Sequence, residues 1–157
     1  MPKAEITVKD IMTRKVVSVA PETSLVEAAN ILAEHSFDGV PVVDSKNKLV
    51  GIITEYDLIE KSSDIHLPTF QKILQNLKVL RSDRSEFEKE VKKVSSLTVE
   101  DVMNPEPLTL SDTASFEEVV RAFKEHHRVN PIPIVDKSEK VVGVVSRFDV
   151  LKPLRSL

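Results

Sequence analysis

The sequence predicts a mixed α/β (α+β) fold in which two pseudo-symmetric repeats pack together, with a helical insert between them. Each repeat has the predicted order strand, helix, strand, strand, helix. Three observations predict this: an internal repeat, short apolar runs typical of strands, and Ser-x-x-Glu starts before helically spaced apolar residues. Over 157 residues we place the first repeat at 1–61, the insert at 62–96 and the second repeat at 97–157.

The internal repeat is the strongest of these signals. The matching pairs of segments are Val8–Met12 with Val99–Met103, Val40–Asp44 with Ile132–Asp136, and Gly51–Leu58 with Gly143–Val150. Most differences between the copies preserve size and polarity. A unit of about 50 residues is too small for a large core of its own, so we expect the two copies to pack against each other.

The first strand and helix of each repeat follow from local patterns. Val16–Val19 is a β-rich segment before Pro21. Ser24 and Ser115 are each followed three residues later by Glu, which is the signature of a capping box. The apolar residues that then share one helical face are Leu25, Ala28, Ala29 and Leu32 in the first copy and Phe116, Val119, Val120 and Phe123 in the second.

Two apolar runs and a short helix complete each repeat. Val40–Val43 and Leu49–Ile53 flank the polar stretch Asp44–Lys48, which predicts a hairpin buried on both faces. We expect the last helix of the first copy to begin near Thr54 and to run to about Lys61.

The charged insert predicts two helices. Pro68 is suited to the first helical turn, and Ser82–Ser85 is typical of a break followed by a new cap. The helically spaced apolar residues are Phe70, Ile73, Leu74, Leu77 and Leu80, and then Phe87, Val91 and Val94. The insert is either a linker that packs on its own protein or a docking or dimer surface.

Composition narrows the function classes. The net charge of −3 argues against a nucleic-acid binder, and no apolar run is long enough to span a membrane. Zero cysteines exclude thiol chemistry and sulfur-ligated zinc. His66 is isolated, and His35, His126 and His127 lack metal-site spacing, so we interpret them as capping or surface residues, the alternative being a ligand or interface role for His126 and His127. We expect a cytoplasmic protein that is not an enzyme, with no catalytic or metal-binding residue and no required cofactor.

A Gly-x-x-Ser/Thr-x-x-Asp pattern ends each hairpin, and it has two compatible interpretations. Its Ser/Thr and Asp members are Thr54 with Asp57 and Ser146 with Asp149. A hydroxyl residue followed three positions later by an acid can simply cap a helix. The same hydroxyl at a helix start can meet a phosphate, and the carboxylate can accept hydrogen bonds from a vicinal diol such as that of ribose.

Taken together, these segments resemble a tandem pair of CBS (cystathionine β-synthase) domains, also called a Bateman module, over about residues 8–61 and 99–152. The resemblance implies two clefts between pseudo-two-fold related repeats. It also implies binding of an adenosine-containing ligand, such as AMP, ADP, ATP or S-adenosylmethionine, and commonly a disc-like homodimer. Because the chain ends at Leu157, just after the second copy, we expect its signal to pass through an unidentified effector protein or through self-association. The alternative is a dimer or interaction scaffold that binds no nucleotide.

The resemblance also implies the site residues. Asp57 and Asp149 would hold ribose diols, Thr54 and Ser146 would contact ribose or phosphate, and the remaining residues would line the clefts or border the adenine. The full set is Ser18, Val40, Pro41, Thr54 and Asp57 for the copy-one cleft, and Thr109, Ile132, Pro133, Ser146, Arg147 and Asp149 for the copy-two cleft.

The two copies differ in charge near these residues. Copy one has Asp38 before its Val-Pro strand and Glu55 inside its motif, whereas copy two has Arg128 and Arg147 at the comparable places. We therefore expect the copy-two cleft to prefer a charged nucleotide. The copy-one cleft would be empty, weaker, or occupied by a less anionic adenosyl compound.

Overall fold

A computed structural model describes residues 5–60 and 96–156 of the chain. In the first repeat the elements are α1 (Val8–Ile11), α2 (Leu25–His35), β1 (Gly39–Val43), β2 (Leu49–Thr54) and α3 (Glu55–Glu60). In the second they are α4 (Val99–Val102), β3 (Leu110–Ser111), α5 (Phe116–Glu125), β4 (Ile132–Val135), β5 (Val141–Val145) and a 3₁₀ helix (Asp149–Ser156). The helices predicted in the insert, and His66, lie outside the described residues.

The strands form one small sheet in each repeat. β1 pairs with β2 and β4 pairs with β5, both antiparallel, as the predicted hairpins require. β3 adds to β4 in parallel. In the first repeat the equivalent strand, predicted at Val16–Val19, is reduced to a single bridge between Val19 and Val42. The mixed α and β architecture predicted from the sequence is confirmed.

The main helices begin where the capping signals predict. Ser24 Oγ accepts the Glu27 N–H at 3.1 Å and begins α2. Ser115 begins α5 with a reciprocal pair, because its Oγ accepts the Glu118 N–H at 3.2 Å while Glu118 Oε2 accepts the Ser115 N–H at 2.7 Å. The last helix of the second repeat is 3₁₀ and contains Pro153, which has no N–H to donate to a helical hydrogen bond.

The two repeats exchange their opening segments. Val8, Ile11 and Met12 of the first repeat are buried in the core formed by α5, β4 and β5. Conversely, Val99 and Val102 of the second repeat are buried in the core formed by α2, β1 and β2. Each repeat therefore completes the hydrophobic core of the other, which joins the two halves into one folding unit.

Main-chain hydrogen bonds fix this exchange on both sides. Thr13 and Val144 exchange N–H···O bonds of 2.9 and 3.0 Å, and Asn104 and Ile52 do the same at 2.9 and 3.0 Å. The segment after each short helix thus runs along the second hairpin strand of the other repeat.

The hairpin turns also meet each other across the pseudo-two-fold axis. Asn47 Nδ2 donates to the Val141 carbonyl at 3.0 Å, and the Val141 N–H donates to the Asn47 carbonyl at 3.1 Å. Across residues 5–60 and 96–156 we find no helix with the length and apolarity needed to cross a membrane.

Candidate functional site

The Gly-x-x-Thr-x-x-Asp motif of the first repeat forms a compact cap at the start of α3. Oδ2 of Asp57 accepts the Thr54 N–H at 3.0 Å and the Thr54 hydroxyl at 2.8 Å. The Asp57 N–H donates back to Thr54 Oγ1 at 3.2 Å. The capping interpretation is therefore realised, and the cap holds the carboxylate in one orientation at the carboxyl end of β2.

The second motif repeats both hydrogen bonds to the aspartate Oδ2, but its Asp149 N–H donates to the Ser146 carbonyl at 3.0 Å, and the carboxylate has one further partner. Oδ2 of Asp149 accepts the Ser146 N–H at 2.7 Å and the Ser146 hydroxyl at 3.0 Å. Its Oδ1 lies 2.7 Å from the Lys152 ammonium, which also donates to the Ile11 carbonyl. Asp149 is only 8% exposed and is the one buried charged side chain within the described ranges. Lys152, held by Asp149, ties the 3₁₀ helix to α1 of the other repeat.

The first candidate cleft lies between the repeats, and we name it the Asp149 cleft. It has a volume of about 250 Å³, slightly below the roughly 300–1,000 Å³ typical of small-molecule sites. Its lining residues are Thr13, Lys15, Val17, Ser36, Phe37, Asp38, Gly39, Val40, Pro41, Asn130, Pro131, Val144, Ser146, Phe148 and Asp149. A lining that combines apolar side chains with polar and charged groups suits a ligand that has both an aromatic base and a sugar.

The second candidate cleft is its pseudo-symmetric counterpart, which we name the Asp57 cleft. Its volume is about 290 Å³. Its lining residues are Ile52, Thr54, Tyr56, Asp57, Asn104, Pro107, Leu108, Arg128, Val129, Asn130 and Pro131. Asn130 and Pro131 line both clefts, so a single short segment separates them.

The structure corrects how the predicted site residues were grouped. The sequence predicts Val40 and Pro41 in the same cleft as Asp57, but in the structure they line the Asp149 cleft together with Ser146. The assignment by repeat fails because the clefts lie between the repeats. Each cleft combines the aspartate of one repeat with the helix-to-strand loop of the other.

Five predicted residues, Arg147 among them, are not among those lining either cleft. Ile132 is fully buried in the core of the second repeat, and Pro133 is buried beside it in β4. Ser18 and Thr109 are partly buried, and their preceding neighbours, Val17 and Leu108, line the clefts instead. Successive side chains of an extended segment point to opposite sides, which explains the shift by one residue.

Arg147 does not have the predicted position. Its guanidinium donates to the carbonyls of Phe123, His126, His127 and Val129 at 3.2, 2.9, 2.7 and 3.4 Å, at and just beyond the end of α5. It also lies over the Phe123 ring, 5.0 Å from its centre. A helix carboxyl end presents unpaired carbonyls and negative partial charge, and this arginine satisfies both.

Arg128, unlike Arg147, lines a cleft, and this cleft is the Asp57 cleft. Its Nη1 donates to the Tyr56 hydroxyl at 3.1 Å, and its guanidinium carbon lies 5.7 Å from the Tyr56 ring centre. The expectation that Arg128 serves the copy-two cleft is therefore wrong. The sequence did not predict a role for Tyr56, because no local pattern relates it to Arg128, which is 72 positions away.

Acidic groups gather where the two clefts adjoin. Asp38 lines the Asp149 cleft and accepts a short hydrogen bond from Asn130 Nδ2, and Asn130 Oδ1 accepts the Arg147 N–H at 3.1 Å. The pKa of Glu55 is raised, first by burial and then by the negative charges of Asp38 and Asp57. Asn130 thus connects the acidic loop of the first repeat to the second repeat.

The histidines and carboxylates do not build a metal site in the part of the chain that the structure describes. His35 is exposed and stacks on Phe37 with ring centres 4.9 Å apart, and His126 is the residue that ends α5. The clefts are thus lined by hydrogen-bonding and apolar groups that can hold a ligand.

Comparisons with known proteins agree with this geometry. The family model described as the CBS domain matches residues 8–64 and 99–156. The chloroplastic CBS domain-containing protein CBSX2 of Arabidopsis thaliana is 30% identical over 155 residues, covering 93% of this chain and 62% of that relative. The chain therefore spans less than two thirds of that relative's length.

Two solved structures are similar over almost the whole chain. The structure of CBSX2 in complex with AMP is 28% identical with a TM-score of 0.70, covering 96% of this chain and 97% of that one. The CBS domain pair of protein MJ0100 in complex with 5′-methylthioadenosine and S-adenosyl-L-methionine is 25% identical with a TM-score of 0.67, covering 98% of each chain.

Proposed function

Because the chain belongs to the CBS domain family, we propose that it is a regulatory module that binds an adenosine-containing ligand in the clefts between its repeats and is not an enzyme. One observation carries the proposal: each cleft joins a capped aspartate of one repeat to the helix-to-strand loop of the other. The similar CBSX2 and MJ0100 structures contain AMP and adenosyl compounds, which supports this ligand class.

The geometry of each aspartate suits a ribose diol. In both caps the hydrogen bonds from the Ser or Thr residue fall on Oδ2. At Asp57, Oδ1 is therefore the carboxylate oxygen that would accept hydrogen bonds from a diol. At Asp149, a diol would share Oδ1 with Lys152. Hydrogen bonds to a charged group contribute about 1.5–3 kcal/mol each.

The cross-repeat construction also explains how binding becomes a signal. A ligand in either cleft contacts both repeats, so it favours the relative orientation of the repeats that binds it best. Beside the Asp149 cleft, Phe148 in the turn before the 3₁₀ helix and Leu151 and Leu154 within that helix are 76%, 49% and 61% exposed. These apolar side chains support output through a second copy or an effector protein.

The test is a thermal-shift screen of the purified protein with AMP, ADP, ATP, GTP, S-adenosylmethionine and cyclic dinucleotides. Each compound is used at about 1 mM, which is about 100 times a Kd of about 10 μM. At 100 times its Kd a ligand adds about 2.7 kcal/mol of stability, which raises Tm by roughly 5–10 °C for a chain of this size. Asp57→Asn should reduce the rise in Tm caused by a ligand in the Asp57 cleft, and Asp149→Asn should reduce the rise caused by a ligand in the Asp149 cleft. Each variant is the control for the other.

Two outcomes would contradict the proposal. If no adenosine compound raises Tm, the two aspartates only cap helices and the interaction scaffold is the better description. If GTP raises Tm as much as the adenine compounds, the ligand class is wrong. Light scattering with and without the bound compound then measures whether the module self-associates.

A further inference from the structure

We propose that the two clefts differ in ligand charge: the Asp57 cleft takes the phosphate-bearing nucleotide, and the Asp149 cleft takes an uncharged or cationic adenosyl compound. This inference rests on the proposed function, which it deepens. It reverses the sequence-based expectation that the cleft of the second repeat prefers the charged nucleotide. The reason is that each aspartate lies in one cleft with the loop of the opposite repeat.

The loop between the main helix and the following strand makes the difference. In the second repeat this loop carries Arg128, which lines the Asp57 cleft. In the first repeat the equivalent loop carries Phe37 and Asp38, which line the Asp149 cleft. Pseudo-symmetry therefore places a guanidinium in one cleft where the other has an aromatic ring and a carboxylate.

Arg128 is already held in a position suited to an anion. The Tyr56 hydroxyl accepts a hydrogen bond from its Nη1 at 3.1 Å, and the Tyr56 ring centre lies 5.7 Å from its guanidinium carbon, so fewer side-chain conformations remain to be lost on binding. The side chain stays exposed and retains further N–H donors. Guanidinium groups bind phosphate through two parallel hydrogen bonds, which makes arginine well suited to this role.

The Asp149 cleft also contains a cation, Lys15, which could attract a phosphate. Lys15 is exposed and shares the cleft with Asp38 and Asp149, so its charge faces two carboxylates. Lys152 offsets the charge of Asp149 by direct contact at 2.7 Å, but Asp38 is bound by the neutral amide of Asn130. Asp38 forms no ion pair with another described residue, so a phosphate there would meet this carboxylate as well as Lys15.

The experiment compares AMP with adenosine, which differ only in the phosphate, by calorimetric titration of the full chain. Arg128→Gln should weaken AMP binding by about 10-fold or more and change adenosine binding by less than about 2-fold, since only the phosphate contact is lost. Arg121→Gln, which removes the same charge from the exposed surface of α5, is the matched control and should change neither. Lys15→Gln should leave AMP affinity within about 2-fold.

The outcomes separate this inference from the proposed function. If AMP binds the wild type and Arg128→Gln does not weaken it, or if Lys15→Gln weakens it instead, the assignment of charge to the clefts is overturned while ligand binding stands. If S-adenosylmethionine binds but AMP does not, the assignment is likewise overturned. If no adenosine compound binds the wild type, the proposed function itself fails.

Discussion

At the residue scale, the two arginines of the second repeat show how position in space decides the role of a side chain. Arg147 is enclosed by main-chain carbonyls, and Arg128, on the loop that those contacts hold, faces a cleft. Arg147 is thus a structural residue that fixes the loop carrying Arg128. A ligand role for Arg147 would require it to abandon hydrogen bonds that no other described side chain supplies to these carbonyls.

We therefore expect Arg147→Gln to destabilise the protein by about 1–3 kcal/mol, since several charge-assisted hydrogen bonds are lost from a partly exposed site. Urea unfolding measures this free energy. Arg147→Lys should recover only part of it, because an ammonium group cannot span four carbonyls as a planar guanidinium does. Arg121→Gln on the exposed surface of α5 should stay within about 0.5 kcal/mol of wild type, and equal stabilities of the two Gln variants would refute this role.

At the element scale, the glycine of each Gly-x-x-Ser/Thr-x-x-Asp motif marks where the exchanged segment crosses a strand. A Cβ on Gly51 would lie 2.7 Å from Met103 Sδ and 2.8 Å from the Asn104 carbonyl oxygen. A Cβ on Gly143 would lie 2.5 Å from Met12 Sδ but 3.2 Å from the Thr13 carbonyl oxygen. Neither glycine has a positive φ, so close approach alone requires them. The Met of each opening segment and the Gly of the other repeat's motif thus form one contact.

This contact predicts unequal effects of two equivalent substitutions. Gly51→Ala should cost about 1–3 kcal/mol, because the main-chain oxygen of Asn104 cannot move without breaking its pairing with Ile52. Gly143→Ala should be nearly neutral, because the flexible Met12 side chain can shift and alanine gains roughly 0.4–1 kcal/mol by restricting the unfolded chain. Urea unfolding of both variants measures the difference, and equal free energies of unfolding would contradict the explanation.

At the scale of the whole molecule, local patterns predicted the elements, but not the partners of the opening segments. Ser24 and Ser115 begin helices as predicted because a cap involves residues only three apart. The association of Val8–Met12 with the other repeat depends on contacts over about a hundred residues, which no local periodicity encodes. The site shows the same contrast. Both Asp caps were predicted from residues three apart, whereas the presence of Asp57 and Arg128 in one cleft depends on how the two repeats pack together.

The exchange makes a final prediction, which uses two matched substitutions. Val8 and Val99 are equivalent in the repeats and both are 0% exposed. Because Val8 is packed in the core of the second repeat, Val8→Ala should speed amide hydrogen exchange in α5, β4 and β5. Val99→Ala should speed it in α2, β1 and β2 instead. Each should cost about 2 kcal/mol. Faster exchange within the substituted residue's own repeat would mean that the opening segments are not exchanged.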